Sequence, residues 1–210
     1  MNMTMHRDRK VTIPSLGHLV VLLMIVLFLH GCTDSDEKWQ TKNITGLMPP
    51  LAFNMRSANS KSMVDAQDYR GKILLMYFGY MHCPDVCPMT LSRLQSTVSQ
   101  LGKRASEIRI LFVSVDPRRD SLDELGQYVQ AFGQQVVGLR GGRQALQKLT
   151  KRYRVTYGYD KPDADGDYTV SHSSAVYVFD RQGQARLLIR DSDSTEAIRH
   201  DLEQLLAEGH

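Results

Sequence analysis

A chain of 210 residues, 42% of them hydrophobic, is long enough for one globular domain with extensions, and a net charge of +3 is too small to mark a nucleic-acid binder. The first 31 residues (Arg7, Arg9 and Lys10 against Asp8) carry +2 of that +3, which leaves +1 for the remainder. Only three cysteines are present, so four-cysteine zinc and iron–sulfur sites are excluded for want of ligands.

Residues 1–31 read as a lipoprotein signal peptide. A basic start precedes an unbroken apolar run of eleven residues, Leu19 to Leu29. That is short of the roughly 20 residues that cross a bilayer and suits a secretory core. It ends in Leu29-His30-Gly31-Cys32, which resembles a bacterial lipobox and implies lipid on Cys32. Residues 33–45 are polar and unpatterned, so 32–45 reads as lipid attachment and flexible tether. The folded domain is then expected over 46–210, entered by an edge segment at 46–53 whose two prolines exclude a central strand.

The first buried strand is the apolar run Lys72-Ile73-Leu74-Leu75-Met76-Tyr77-Phe78. After a short turn comes Cys83-Pro84-Asp85-Val86-Cys87-Pro88, and then Leu91, Leu94, Val98 and Leu101 at helical spacing. The two thiols therefore sit at a helix N-terminus, where free N–H groups favour the thiolate. Such a pair can close a disulfide, exchange one, or hold a soft metal ion. Ile108 to Val115 reads as a second strand ending at Asp116-Pro117. Ser121 with Glu124 forms a capping box for a helix whose inner face is Leu122, Leu125, Val129 and Phe132.

A short strand at Val136–Leu139 precedes a helix carrying Leu146, Leu149 and Tyr153. The basic residues Arg140, Arg143, Lys148, Lys151, Arg152 and Arg154 on this stretch read as a solvated face or a docking surface for an acidic partner. Val176–Phe179 and Ala185–Ile189 flank Asp180-Arg181-Gln182-Gly183 as a hairpin, and Asp193 with Glu196 opens a last helix facing inward through Ile198, Leu202 and Leu205. Alternating strands and helices followed by an antiparallel hairpin predict an α/β fold, a mixed central sheet with helices on both faces. With a cysteine pair after the first long strand, that order is thioredoxin-like.

Three stretches in this order are similar to the Sco/SenC family: Phe78-Gly79-Tyr80-Met81-His82-Cys83-Pro84-Asp85-Val86-Cys87-Pro88, Phe112-Val113-Ser114-Val115-Asp116-Pro117-Arg118-Arg119-Asp120, and Asp167 to Ser173. The resemblance covers roughly 46–208. It implies that Cys83, Cys87 and His172 bind one copper ion, Cu(I) or Cu(II), for assembly of the binuclear copper centre of cytochrome c oxidase. The implied partners are subunit II of that oxidase or another periplasmic copper protein, and the lipid would hold the domain to a membrane of the cell envelope, in the periplasm. Ser171 stands where family members commonly carry Asp, which bears on the orientation of His172. His82, Met81 and Met89 lie close to the thiols in sequence, and Asp85 and Asp116 are candidates for an acidic surround. The alternative reading is a thiol–disulfide oxidoreductase using Cys83 and Cys87 as its redox pair. Peroxidase chemistry is disfavoured, because the threonine–cysteine and arginine arrangement of peroxiredoxins is not evident.

Overall fold

The structure, a computed structural model, describes residues 39–208. The signal peptide and Cys32 lie outside the described residues. Within them an eight-stranded mixed sheet is built, in spatial order, from β1 (Lys42–Asn43), β10 (Ala185–Ile189), β9 (Val176–Phe179), β4 (Ile73–Gly79), β5 (Ile108–Ser114), β6 (Val136–Arg140), β2 (Asn54–Ser57) and β3 (Met63–Asp65). Strand β4 (Ile73–Gly79) is buried along its whole length, between β5 (Ile108–Ser114) and β9 (Val176–Phe179). It runs parallel to β5, which runs parallel to β6 (Val136–Arg140), while β9 and β10 (Ala185–Ile189) form the antiparallel hairpin. A strand without alternation needs cover on both faces, which explains the continuous apolar run.

Neighbouring residues of β4 point to opposite faces. On one face the ring of Tyr77 packs at 5.9 Å from Phe112, and Phe112 at 5.5 Å from Tyr128 of helix α2 (Leu122–Gln130). The other face carries Phe78 against Tyr177, and Tyr177 against Tyr153 at the end of α3 (Arg143–Arg152). Helix α1 (Val86–Ser99) buries Cys87, Thr90, Leu91, Leu94, Thr97 and Val98, and packs against α4 (Thr195–Ala207). The expected mixed sheet flanked by helices is therefore observed. Among the described residues no helix is long and apolar enough to cross a membrane.

Several elements depart from the sequence reading. The stretch read as tether contributes β1 (Lys42–Asn43), paired antiparallel with β10. Asp201 of α4 anchors it, accepting from Gln40 N (3.0 Å), Thr41 N (2.8 Å) and Thr41 Oγ1 (2.7 Å). Residues 42 and 43, inside the stretch read as tether, thus belong to the sheet. Residues 46–53 form no strand. They follow the surface, tied by Leu51 N to Gly183 O and by Arg152 to Pro50 O. A hairpin of β2 (Asn54–Ser57) and β3 (Met63–Asp65) extends the sheet beyond β6. Ser194, not Asp193, caps α4: its Oγ accepts from Ala197 N, whereas Asp193 accepts from Arg190. Ser121 caps α2 as expected. In the basic stretch Arg140 is no solvated residue, since its guanidinium donates to the carbonyls of Asp120 and Pro117.

Candidate metal centre

Strand β4 delivers the chain to Gly79, and a tight turn follows in which Cys83 N donates to Tyr80 O (3.3 Å). Gly79 is required by space. A Cβ there would lie 2.6 Å from Phe112 Cε2 and 2.8 Å from Cys87 Sγ. Helix α1 then starts with Asp85 as its N-cap, exposed and making no side-chain cap bond. The first-turn N–H groups are left for sulfur instead: Cys87 N donates to Cys83 Sγ at 3.5 Å.

This placement separates the two thiols. Burial raises the Cys83 thiol, but the N–H groups of Cys87, Asp85 and Val86 outweigh it, and its pKa lies below the usual thiol value. Cys87 is fully buried, and burial pushes its thiol up to about 12 although Tyr77 Oη (3.5 Å) donates to it. A partly buried cysteine inclined to the thiolate thus stands beside a fully buried one that needs a partner to lose its proton.

The third donor comes from a second, two-stranded sheet, which the sequence reading did not identify. Strand β7 (Tyr157–Tyr159) pairs with β8 (Val170–His172), and His172 ends β8. Its Nε2 lies 3.3 Å from Cys87 Sγ and its Nδ1 lies 3.0 Å from Ser173 O. A carbonyl only accepts, so Nδ1 carries the proton and the Nε2 lone pair faces the sulfurs. Ser173, the residue after His172, thereby orients the ring, while Ser171 Oγ donates to Gly158 O (3.3 Å). The rings of Tyr77 and Tyr80 meet the imidazole edge-on at 6.0 and 5.9 Å.

One ligand atom from each of Cys83, Cys87 and His172 lies within 4.8 Å of the others, and among the described residues no other group of three His, Cys or acidic side chains does so. The donor set fits copper: two soft sulfurs and an imidazole among the described residues. The remaining sequence candidates fall outside the group. The His82 imidazole lies 3.6 Å from Asp120 Oδ1, Met89 is exposed, and Met81 is half-buried against the core. Asp116 is buried and accepts from Arg119 Nε (2.6 Å) and Tyr168 Oη (2.8 Å). Sequence reasoning missed Tyr77, whose only signal was a hydroxyl in an otherwise apolar run. It quoted Asp120 without assigning it a role.

A family model described as SCO1/SenC matches residues 52–207. The human protein "Protein SCO1 homolog, mitochondrial" is 37% identical over 160 residues, covering 74% of this chain and 53% of that protein. Bovine "Protein SCO2 homolog, mitochondrial" is 39% identical over 118 residues, covering 55% of this chain and 44% of that protein. The chain spans about half the length of the curated relatives it matches. Among solved structures, Bradyrhizobium japonicum ScoI with copper bound superposes with a TM-score of 0.68 at 31% identity, covering 74% of this chain and 98% of that one. Apo Sco1 from Thermus thermophilus gives 0.68 at 29%, covering 78% and 95%.

Proposed function

The chain belongs to the SCO1/SenC family, and on that premise we propose that it is a copper chaperone of the cell envelope whose ligands are Cys83, Cys87 and His172. The convergence of those three donors within 4.8 Å carries the reading. The Cys83 thiolate supplies an entry ligand at the surface. A copper ion drawn toward Cys87 displaces its proton. The imidazole, with Nε2 free, completes three-coordination. Copper here is cargo: a partner's ligand can enter the open side before these leave, which suits handing the ion on. The partner in this reading is subunit II of cytochrome c oxidase or another periplasmic copper protein. Lipid on Cys32 would tether the domain to a membrane, with the site in the periplasm.

The asymmetry of the thiols also supports a second activity, reduction of a partner's disulfide. The Cys83 thiolate attacks one sulfur of that disulfide and a partner thiolate leaves. Cys87 then attacks Cys83 Sγ in the mixed disulfide, its proton leaving with the second partner sulfur, which departs as a thiol. The Cys83–Cys87 dithiol supplies both electrons and ends as a disulfide.

His172 separates the two activities. An anaerobic copper(I) titration of reduced residues 33–210 should show one tightly bound ion, lost or greatly weakened in His172→Ala, with disulfide exchange retained. Equal copper affinity in variant and wild type would remove the imidazole from the site.

A further inference from the structure

His172 does not belong to the main sheet. It sits on the separate β7–β8 hairpin, joined to β9 through Ser173–Ala175. An isolated two-stranded hairpin is marginal in water, so the position of His172 depends on what holds the hairpin down. One short stretch, Val115–Asp120, touches both the hairpin and the thiol turn.

Toward the body, Asp120 is fully buried and accepts from Ser114 Oγ (2.6 Å) and from Met81 N (3.3 Å to Oδ2), two residues before Cys83. Val115 N donates to Gly79 O (2.8 Å). Arg140, at the end of β6, clamps the same stretch from outside through the Asp120 and Pro117 carbonyls, at 2.7 and 2.6 Å. Toward the hairpin, Val115 O accepts from Tyr159 Oη (2.6 Å) and Asp116 Oδ1 from Tyr168 Oη (2.8 Å). The Arg119 guanidinium, held by Asp116 Oδ2, lies 3.7 Å from the centre of the Tyr168 ring. Both aspartates are buried and the bonds to them buried or part-buried, where charge-assisted bonds are strong and directional.

We infer that the Val115–Asp120 loop is the dock that seats the histidine-bearing hairpin against the thiol turn, with Asp116 and Tyr168 as positioning residues for the metal site. The inference rests on the three-donor reading above for its consequence, though not for its geometry. An undocked hairpin leaves two thiolates without an imidazole, and apparent affinity falls with the fraction of molecules that are docked.

The test uses Tyr168→Phe and Asp116→Asn in the full chain, with two readouts. In copper-free protein, amide exchange at Asp160 and Ser173, which donate across the hairpin to Thr169 O and Thr156 O, should quicken about tenfold for loss of one charge-assisted bond, while β4 amides are unchanged. Copper(I) affinity, measured against a competing chelator, should fall with the docked fraction, by at most that factor. In a His172→Ala background Tyr168→Phe should cost nothing further. Unchanged hairpin exchange in Tyr168→Phe overturns the dock, and an equal affinity loss with and without His172 overturns the positioning role. If Asp116→Asn does not fold, Tyr168→Phe, which removes one hydroxyl, decides alone. If the hairpin loosens but His172→Ala binds copper like wild type, the dock stands and the ligand assignment falls.

Discussion

At the scale of single residues the site is governed by what cannot be larger and what can only accept. Gly79 has no room for a methyl group between the Phe112 ring and the Cys87 sulfur. Gly79→Ala should therefore destabilise the copper-free domain by about 1–3 kcal/mol, the usual cost of overpacking, read as a lower urea midpoint. It should also weaken copper binding, because Cys87 is one of the atoms that must move. An unchanged midpoint would mean that the strand end yields more freely than its packing indicates. The Ser173 carbonyl acts by being an acceptor only, which leaves Nε2 of His172 to the sulfurs without an Asp at position 171.

At the scale of elements the start of α1 makes the two cysteines unlike. The free first-turn N–H groups lower the Cys83 thiol, and the buried inner face of the helix raises Cys87. Between pH 7 and 8 iodoacetamide should therefore label Cys83 well before Cys87 in reduced, copper-free protein. The Cys83 rate should climb as pH rises through a value below that of an ordinary thiol, while Cys87 stays slow until pH approaches about 12. Mass spectrometry of partly labelled protein reads this directly, and equal labelling would refute the assigned asymmetry. The long elements were legible beforehand: β4, β5, α1 and α2 each carry a full apolar pattern. The short ones were not. β1, β7 and β8 hold two or three residues each, and partners distant in the chain form them rather than any periodicity of their own.

At the scale of the molecule the N-terminal edge is closed by a contact spanning most of the chain. Asp201 on α4 collects three donors from Gln40 and Thr41 as β1 adds to β10. A chain begun at residue 46, the boundary that composition alone suggests, would bare β10 and strip those donors from a buried carboxylate. We expect it to be less stable than a chain begun at 39 by about 3 kcal/mol, measured by thermal unfolding of the two. Equal melting would show β1 to be dispensable.

The sequence alone determined the order of the long strands and helices and the thiol pair at a strand-to-helix turn. Both are local, written in periodicity and in residue types spaced along one segment. Through its resemblance to the Sco/SenC family it also pointed to His172. Tertiary structure decided what depends on residues far apart in the chain. It closed the sheet with β1, brought Nε2 of a histidine 85 residues away to 3.3 Å from Cys87 Sγ, and turned Asp116 and Asp120 inward to hold the hairpin and the thiol turn. Burial made the difference: a turn carboxylate looks the same in sequence whether water or a tyrosine hydroxyl will satisfy it.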